Sequence, residues 1–245
     1  MKKLKSSKYK NLYDILKDVS YKHTIAKVFY DFIAMTALNI AVGISFNIED
    51  KKKRIEQLKK ITVNYDKNEM ELFNAFKLGL ANEYQNNRYQ DVLGVLFQEL
   101  ELKNDFKGQF FTPYELSYCM NKINFDKSLL ENKDFIHCNE PAAGSGGIVI
   151  ASCQIAEELG YNYSEKLIWS INDVDLMCVY MSFIQLNLIG ASALIQHCNT
   201  LSMEVFDRFY TLGYILNRCS QRLQIEEHCN KMLTAIKDMQ FLSNN

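Results

Sequence analysis

Glu140-Pro-Ala-Ala-Gly-Ser-Gly-Gly147 stands between an apolar run at 135–138 and a helical pattern at 148–159. A strand, a glycine turn and a helix start, in that order, form the geometry that cradles a nucleotide-like cofactor. Glycines let the backbone approach a ligand closely, and Glu140 at the strand tip is placed to hold its polar groups. The same texture repeats downstream. The helix after the loop closes at Gly160, a second strand at 167–172 leads to a helix at 175–189 closed by Gly190, and a short strand follows at 193–197. Strands alternating with helices of this length predict parallel βαβ units. Ligands of such sheets lie beyond the carboxyl ends of the strands. That rule gathers three features: the glycine loop, Asp173 with Asp175, and Asn199-Thr200. Taken singly, an acidic residue after a strand reads as a helix cap; the three together, in order, read as a binding site.

The chain has two prolines, and the second of these motifs is upstream: Gly108-Gln-Phe-Phe-Thr-Pro113. Thr112-Pro113 predicts a helix start, a side-chain cap followed by proline at the first helical position, with the helix running to about Asn121. Everything before it has helical spacing: Tyr13, Leu16 and Val19; Ile25, Val28, Phe29 and Phe32; then 51–61, 68–84 and 91–102. The expected organisation is therefore a helical region over 1–105 and an α/β region over 106–245, with 203–245 mostly helical.

At 245 residues, 48% hydrophobic, with 15 Phe and 14 Tyr, the chain can bury a substantial core. A net charge of −1 provides no global positive field for nucleic acid. Basic runs such as Lys51-Lys-Lys-Arg54 read as solvated helix faces, or alternatively as a phosphate-contacting edge. Seven cysteines without a CxxC pair indicate a reduced, cytoplasmic protein. Each of the three His-Cys dipeptides offers one ligand to a given site, so no metal is expected. No signal peptide is visible, and the uncharged stretch 32–48 reads as a buried helix rather than a membrane span.

Glu140-Pro-Ala-Ala-Gly-Ser-Gly-Gly147 resembles the S-adenosylmethionine loop of N6-adenine DNA methyltransferases, especially the modification subunits of type I restriction systems. Gly108-Gln-Phe-Phe-Thr-Pro113 is similar to that family's upstream cofactor segment. Ile171-Asn-Asp-Val-Asp175 resembles its ribose-binding segment, and His197-Cys-Asn-Thr-Leu201 the segment beside the cofactor adenine. Asp91-Val-Leu-Gly94 is similar to its lead-in helix. The resemblance covers residues 91–201. It implies a Rossmann-like fold binding S-adenosyl-L-methionine, with Phe111, Thr112 and Pro113 at the methionine end. It further implies Glu140, Ala142, Gly144 and Gly146 around the cofactor, Asp173 on the ribose and Asn199 on the adenine. DNA and a partner subunit are the implied partners.

The family's Asp/Asn-Pro-Pro-Tyr/Phe motif, which holds and stacks the flipped target base, has no counterpart, since no proline follows Pro141. Asp207 and Tyr210 are the substitutes on offer, and an amphipathic segment explains them equally. Only 44 residues follow Leu201, whereas a βα unit takes roughly 30. The expectation is a truncated sheet holding the cofactor half of the fold, either as a DNA methyltransferase or as a non-catalytic cofactor-binding subunit; a methyltransferase for a small molecule or a protein is a third reading. The strand at 135–139 would then have an uncovered edge, and 209–216 is the expected strand to cover it.

Overall fold

The computed structural model describes residues 8–100 and 111–243, with the side chains of 235–243 left aside. The helical region comprises α1 (Lys10–Val19), α2 (Ile25–Ile44), α3 (Ile48–Thr62), α4 (Lys67–Asn86) and α5 (Val92–Glu99). Their starts follow from local chemistry. Thr24 accepts from the Lys27 N–H, Asn47 from those of Glu49 and Asp50, and Asp66 with Glu69 forms a reciprocal capping box. The helix α2 is long and apolar enough to cross a membrane, but half of its most apolar window is buried inside the protein. Phe32 there packs against Phe73 and Phe76, ring centroids 5.1 and 5.7 Å away.

The α/β region opens with α6 (Tyr114–Asn124) and α7 (Lys127–Asn132), then alternates β1 (Ile136–Glu140), α8 (Gly147–Glu158), α9 (Tyr163–Lys166), β2 (Leu167–Asp173), α10 (Leu176–Ile189) and β3 (Ser192–Asn199). It ends with β4 (Glu204–Tyr210), α11 (Leu212–Leu216) and α12 (Cys219–Ser243). The sheet order is β1-β2-β3-β4, parallel except for the antiparallel β4. The fold is thus α/β, a helical region followed by a mostly parallel four-stranded sheet. The order β1-β2-β3 steps in one direction, and right-handed crossovers then place α8 and α10 on the same face. One continuous core results, running from Leu12 and Phe32 through Val149, Phe183 and Ile171 to Phe209.

Three expectations are corrected. Residues 204–210 are strand rather than helix. The covering strand does not lie on β1: β4 pairs with β3, and 212–216 is the short α11, so no strand pairs with the outer edge of β1 among the described residues. The turn explains this. Asn199 Oδ1 accepts from the Leu201 and Ser202 N–H groups and Met203 adopts φ +59, which folds the chain straight back beside β3. Finally, Thr112 caps nothing; α6 begins at Tyr114 with Pro113 in the N-cap position and continues to Asn124. The expected boundary at 105/106, and Gly108 to Phe110 of the upstream motif, lie outside the described residues.

Candidate cofactor cleft

A cleft of about 230 Å3 lies beyond the carboxyl ends of β1 and β2, with Phe111, Thr112, Glu140, Ala142, Gly144 and Asp173 in its walls. The glycine loop is held from several sides. Ala143 donates its N–H to the Asn172 carbonyl at 2.9 Å, Gly146 to Ala143 at 2.9 Å, and Thr200 Oγ1 to the Pro141 carbonyl at 2.7 Å. Gly144 adopts φ +55, and a Cβ there would sit 3.0 Å from the Phe111 ring. Gly146 adopts φ +94 and faces Ser182 of α10 rather than the cleft, so it serves close packing of α8 on α10.

Among the described residues, two carboxylates face the cleft. Glu140 Oε1 accepts from the Ala142 N–H at 3.0 Å, which turns the carboxylate over the loop. Asp173 Oδ2 accepts from the Gly144 N–H and Oδ1 from the Asp175 N–H, each at 2.8 Å. Burial lifts the Asp173 carboxyl above the ordinary aspartate range, and those two N–H groups oppose the shift. A carboxylate has about four lone-pair sites, so both oxygens can still accept from ligand hydroxyls.

Phe111 is positioned by α5. Its ring lies 5.1 Å from that of Phe97, and its carbonyl accepts from Gln98 Nε2 at 2.9 Å. Pro113 and Asn199 do not border the cleft; Asn199 uses its side-chain oxygen in the turn before β4. Nor do Asp207 and Tyr210. Asp207 accepts from Arg54 of α3, and Tyr210 lies near the amino end of β3, opposite Leu194.

Sequence reasoning missed two elements of this site. Ser117, on α6, is buried in the cleft wall, and its Oγ has no hydrogen-bond partner among the described residues. Buried hydroxyls are normally satisfied, so this one fits a polar group of a ligand. No feature of the apolar-polar pattern marks it. Behind the loop, Asp91 is wholly buried and accepts from Gly94 N, Gln185 Nε2 and Ser145 Oγ at 2.9, 2.9 and 2.6 Å. Gln185 also donates to the Ser145 carbonyl and accepts from Tyr84 and from Leu93 N. This network ties the helical region to the glycine loop. Burial raises the Asp91 carboxyl despite those donors. Gly94 is required by it, since a Cβ there would meet Asp91 Oδ2 at 2.2 Å. A lone Gln inside the apolar run 176–189 was the available signal.

Among the described residues no three His, Cys, Asp or Glu side chains gather as a metal site. A larger cavity exists at the β4 edge, so the glycine cleft is singled out by its chemistry rather than its size.

No family model and no curated protein matches the chain. It is similar to a solved structure from Listeria monocytogenes assigned to the class I S-adenosylmethionine-dependent methyltransferases, at 13% identity and a TM-score of 0.43, over 83% of this chain and 57% of that one. It is also similar to the type I restriction-modification system methyltransferase subunit from Streptococcus thermophilus, at 11% identity and a TM-score of 0.37, over 79% and 58%. The chain spans less than three fifths of either protein. At such scores neither likeness adds to what strand order and cleft geometry establish.

Proposed function

We propose that the cleft binds S-adenosylmethionine and that the chain is a DNA-methyltransferase-type protein of the adenine N6 class. The observation that carries the reading is Asp173 latched to the Gly144 N–H. It joins the acidic tip of β2 to the glycine loop at the one place where a ribose and a sulfonium side chain would meet the backbone. The residues fit such a ligand: a Cβ at Gly144 would fill the cradle, and Ser117 offers a hydroxyl without a partner among the described residues. When bound, the cofactor supplies an electrophilic methyl group. Asp173 accepts from the ribose hydroxyls, Glu140 holds polar groups at the tip of β1, and Phe111 closes the methionine end. Pro113 and Asn199 stay in the reading as neighbours of the bound cofactor, not walls of the present cleft.

DNA is the substrate class this reading implies, with a partner subunit supplying target recognition, in the cytoplasm. A second reading, a non-catalytic cofactor-binding subunit, is favoured by a specific observation. Asp207 and Tyr210, the offered substitutes for the base-holding motif, lie away from the cleft. Calorimetry with S-adenosylmethionine tests the shared core of both. Gly144→Val places a β-branched side chain at φ +55 against Phe111 and should abolish binding while circular dichroism stays native; unchanged affinity would sink the assignment. Tritiated cofactor with unmethylated genomic DNA separates the readings, and the isolated chain should transfer little or no methyl.

A further inference from the structure

A cavity of about 520 Å3 opens along the outer edge of β4 between the α2–α3 turn and the start of α12. It lies beside the amino half of β3, whereas the glycine cleft lies beyond the carboxyl ends of β1 and β2. Among the described residues its lining includes three arginines, Arg54, Arg208 and Arg218, and one acidic residue, Asp50. Arg54 is already engaged. It is buried, sits 4.0 Å over the Phe209 ring, and donates to Asp207 and to the Arg208 carbonyl. Arg208 and Arg218 are exposed, and neither makes a side-chain hydrogen bond or ion pair among the described residues.

The same cavity has open aromatic surface. Phe46, on the α2–α3 turn, is 87% exposed, an aromatic ring left in water at the rim. Tyr210 is 40% exposed, and its ring lies 5.4 Å from that of Tyr214. Uncompensated guanidinium groups recognise phosphate through paired N–H donors, and exposed aromatic faces take a planar heterocycle. The volume is within the roughly 300–1,000 Å3 of small-ligand sites. We propose that this edge cavity binds a nucleoside phosphate, with Arg208 and Arg218 on the phosphate and Phe46 and Tyr210 against the base. The site is separate from the cofactor cleft and does not rest on the function proposed for it. The ligand chemistry is shared by a free nucleotide and by a nucleotide within a single-stranded nucleic acid.

Calorimetry of the full chain, with excess S-adenosylhomocysteine present so that the heat comes from elsewhere, tests this with three probes: adenosine 5′-monophosphate, a 5′-phosphorylated oligothymidylate and inorganic phosphate. Both nucleotide probes should bind, and Arg208→Ala and Arg218→Ala should each weaken them about tenfold. Phe46→Ala should weaken the nucleotides and leave inorganic phosphate unchanged. All three positions are exposed, so the variants should melt like the parent. Tighter binding of the oligothymidylate assigns the site to nucleic acid, and tighter binding of the monophosphate to a free nucleotide. No heat from either nucleotide at millimolar concentration overturns the proposal, as does affinity unchanged by Arg218→Ala. A Phe46→Ala protein that binds nucleotides like the parent removes the base from it.

Discussion

The two faces of the sheet are built differently. Toward α8 and α10 the strands present Leu167, Trp169, Ile171, Ala193, Ile195 and Phe209, all buried in the main core. The opposite face alternates in register with His137, Asn139, Ser170 and Gln196, of which His137 bonds Ser170 at 2.8 Å. The apolar cluster on that face lies at its amino end, where Ile168 and Leu194 meet Tyr214, Cys219 and Leu223. A parallel strand covered on both faces is expected to be apolar throughout. His137 and Asn139 are exposed there, which suits a face turned to water or a polar partner rather than one packed under crossover helices.

The largest expected effect tests that contrast directly. Ile171→Ala removes a wholly buried side chain and should cost about 2–5 kcal/mol by urea unfolding, while the neighbouring Ser170→Ala should stay within about 0.5 kcal/mol. Equal losses would mean that the second face is packed as tightly as the first. Next comes the network that couples the helical region to the loop. Asp91→Ala strands Gly94 N, Ser145 Oγ and Gln185 Nε2, and should cost about 1–3 kcal/mol. It should also speed amide exchange at Ser145 and Gly146; exchange unchanged there would show that the loop holds itself.

The smallest effect is in pH dependence. Because burial raises the Asp173 carboxyl, the folded chain holds that proton more tightly than the unfolded chain. Its contribution to stability is therefore present below the unfolded pKa and lost as pH rises through the folded one. Ligand hydroxyls need the charged acceptor, so S-adenosylmethionine affinity should run the opposite way. It should weaken on acidification from above the ordinary aspartate range, and Asp173→Asn should flatten that profile. A flat profile in the parent protein would remove Asp173 from the site.

Local chemistry in the sequence determined much of this protein. The glycine loop, the helix ends at Gly160 and Gly190, and the alternation of strands β1 to β3 with helices follow from short-range signals: positive-φ glycines, caps and apolar spacing. Among the cleft walls, Glu140, Gly144 and Asp173 stand at strand tips or in the glycine turn, where local pattern marks them, whereas Phe111, Thr112 and Ala142 were reached through the family resemblance. Only the tertiary structure decided where β4 goes, since a strand of mixed polarity such as Glu204–Tyr210 carries no record of its partner edge. The same holds for Ser117 and the Asp91–Ser145–Gln185 network. Their roles depend on contacts between residues far apart in the chain, such as Asp91 with Gln185 and Ser145, and a hydroxyl or carboxylate becomes informative only when folding removes it from water.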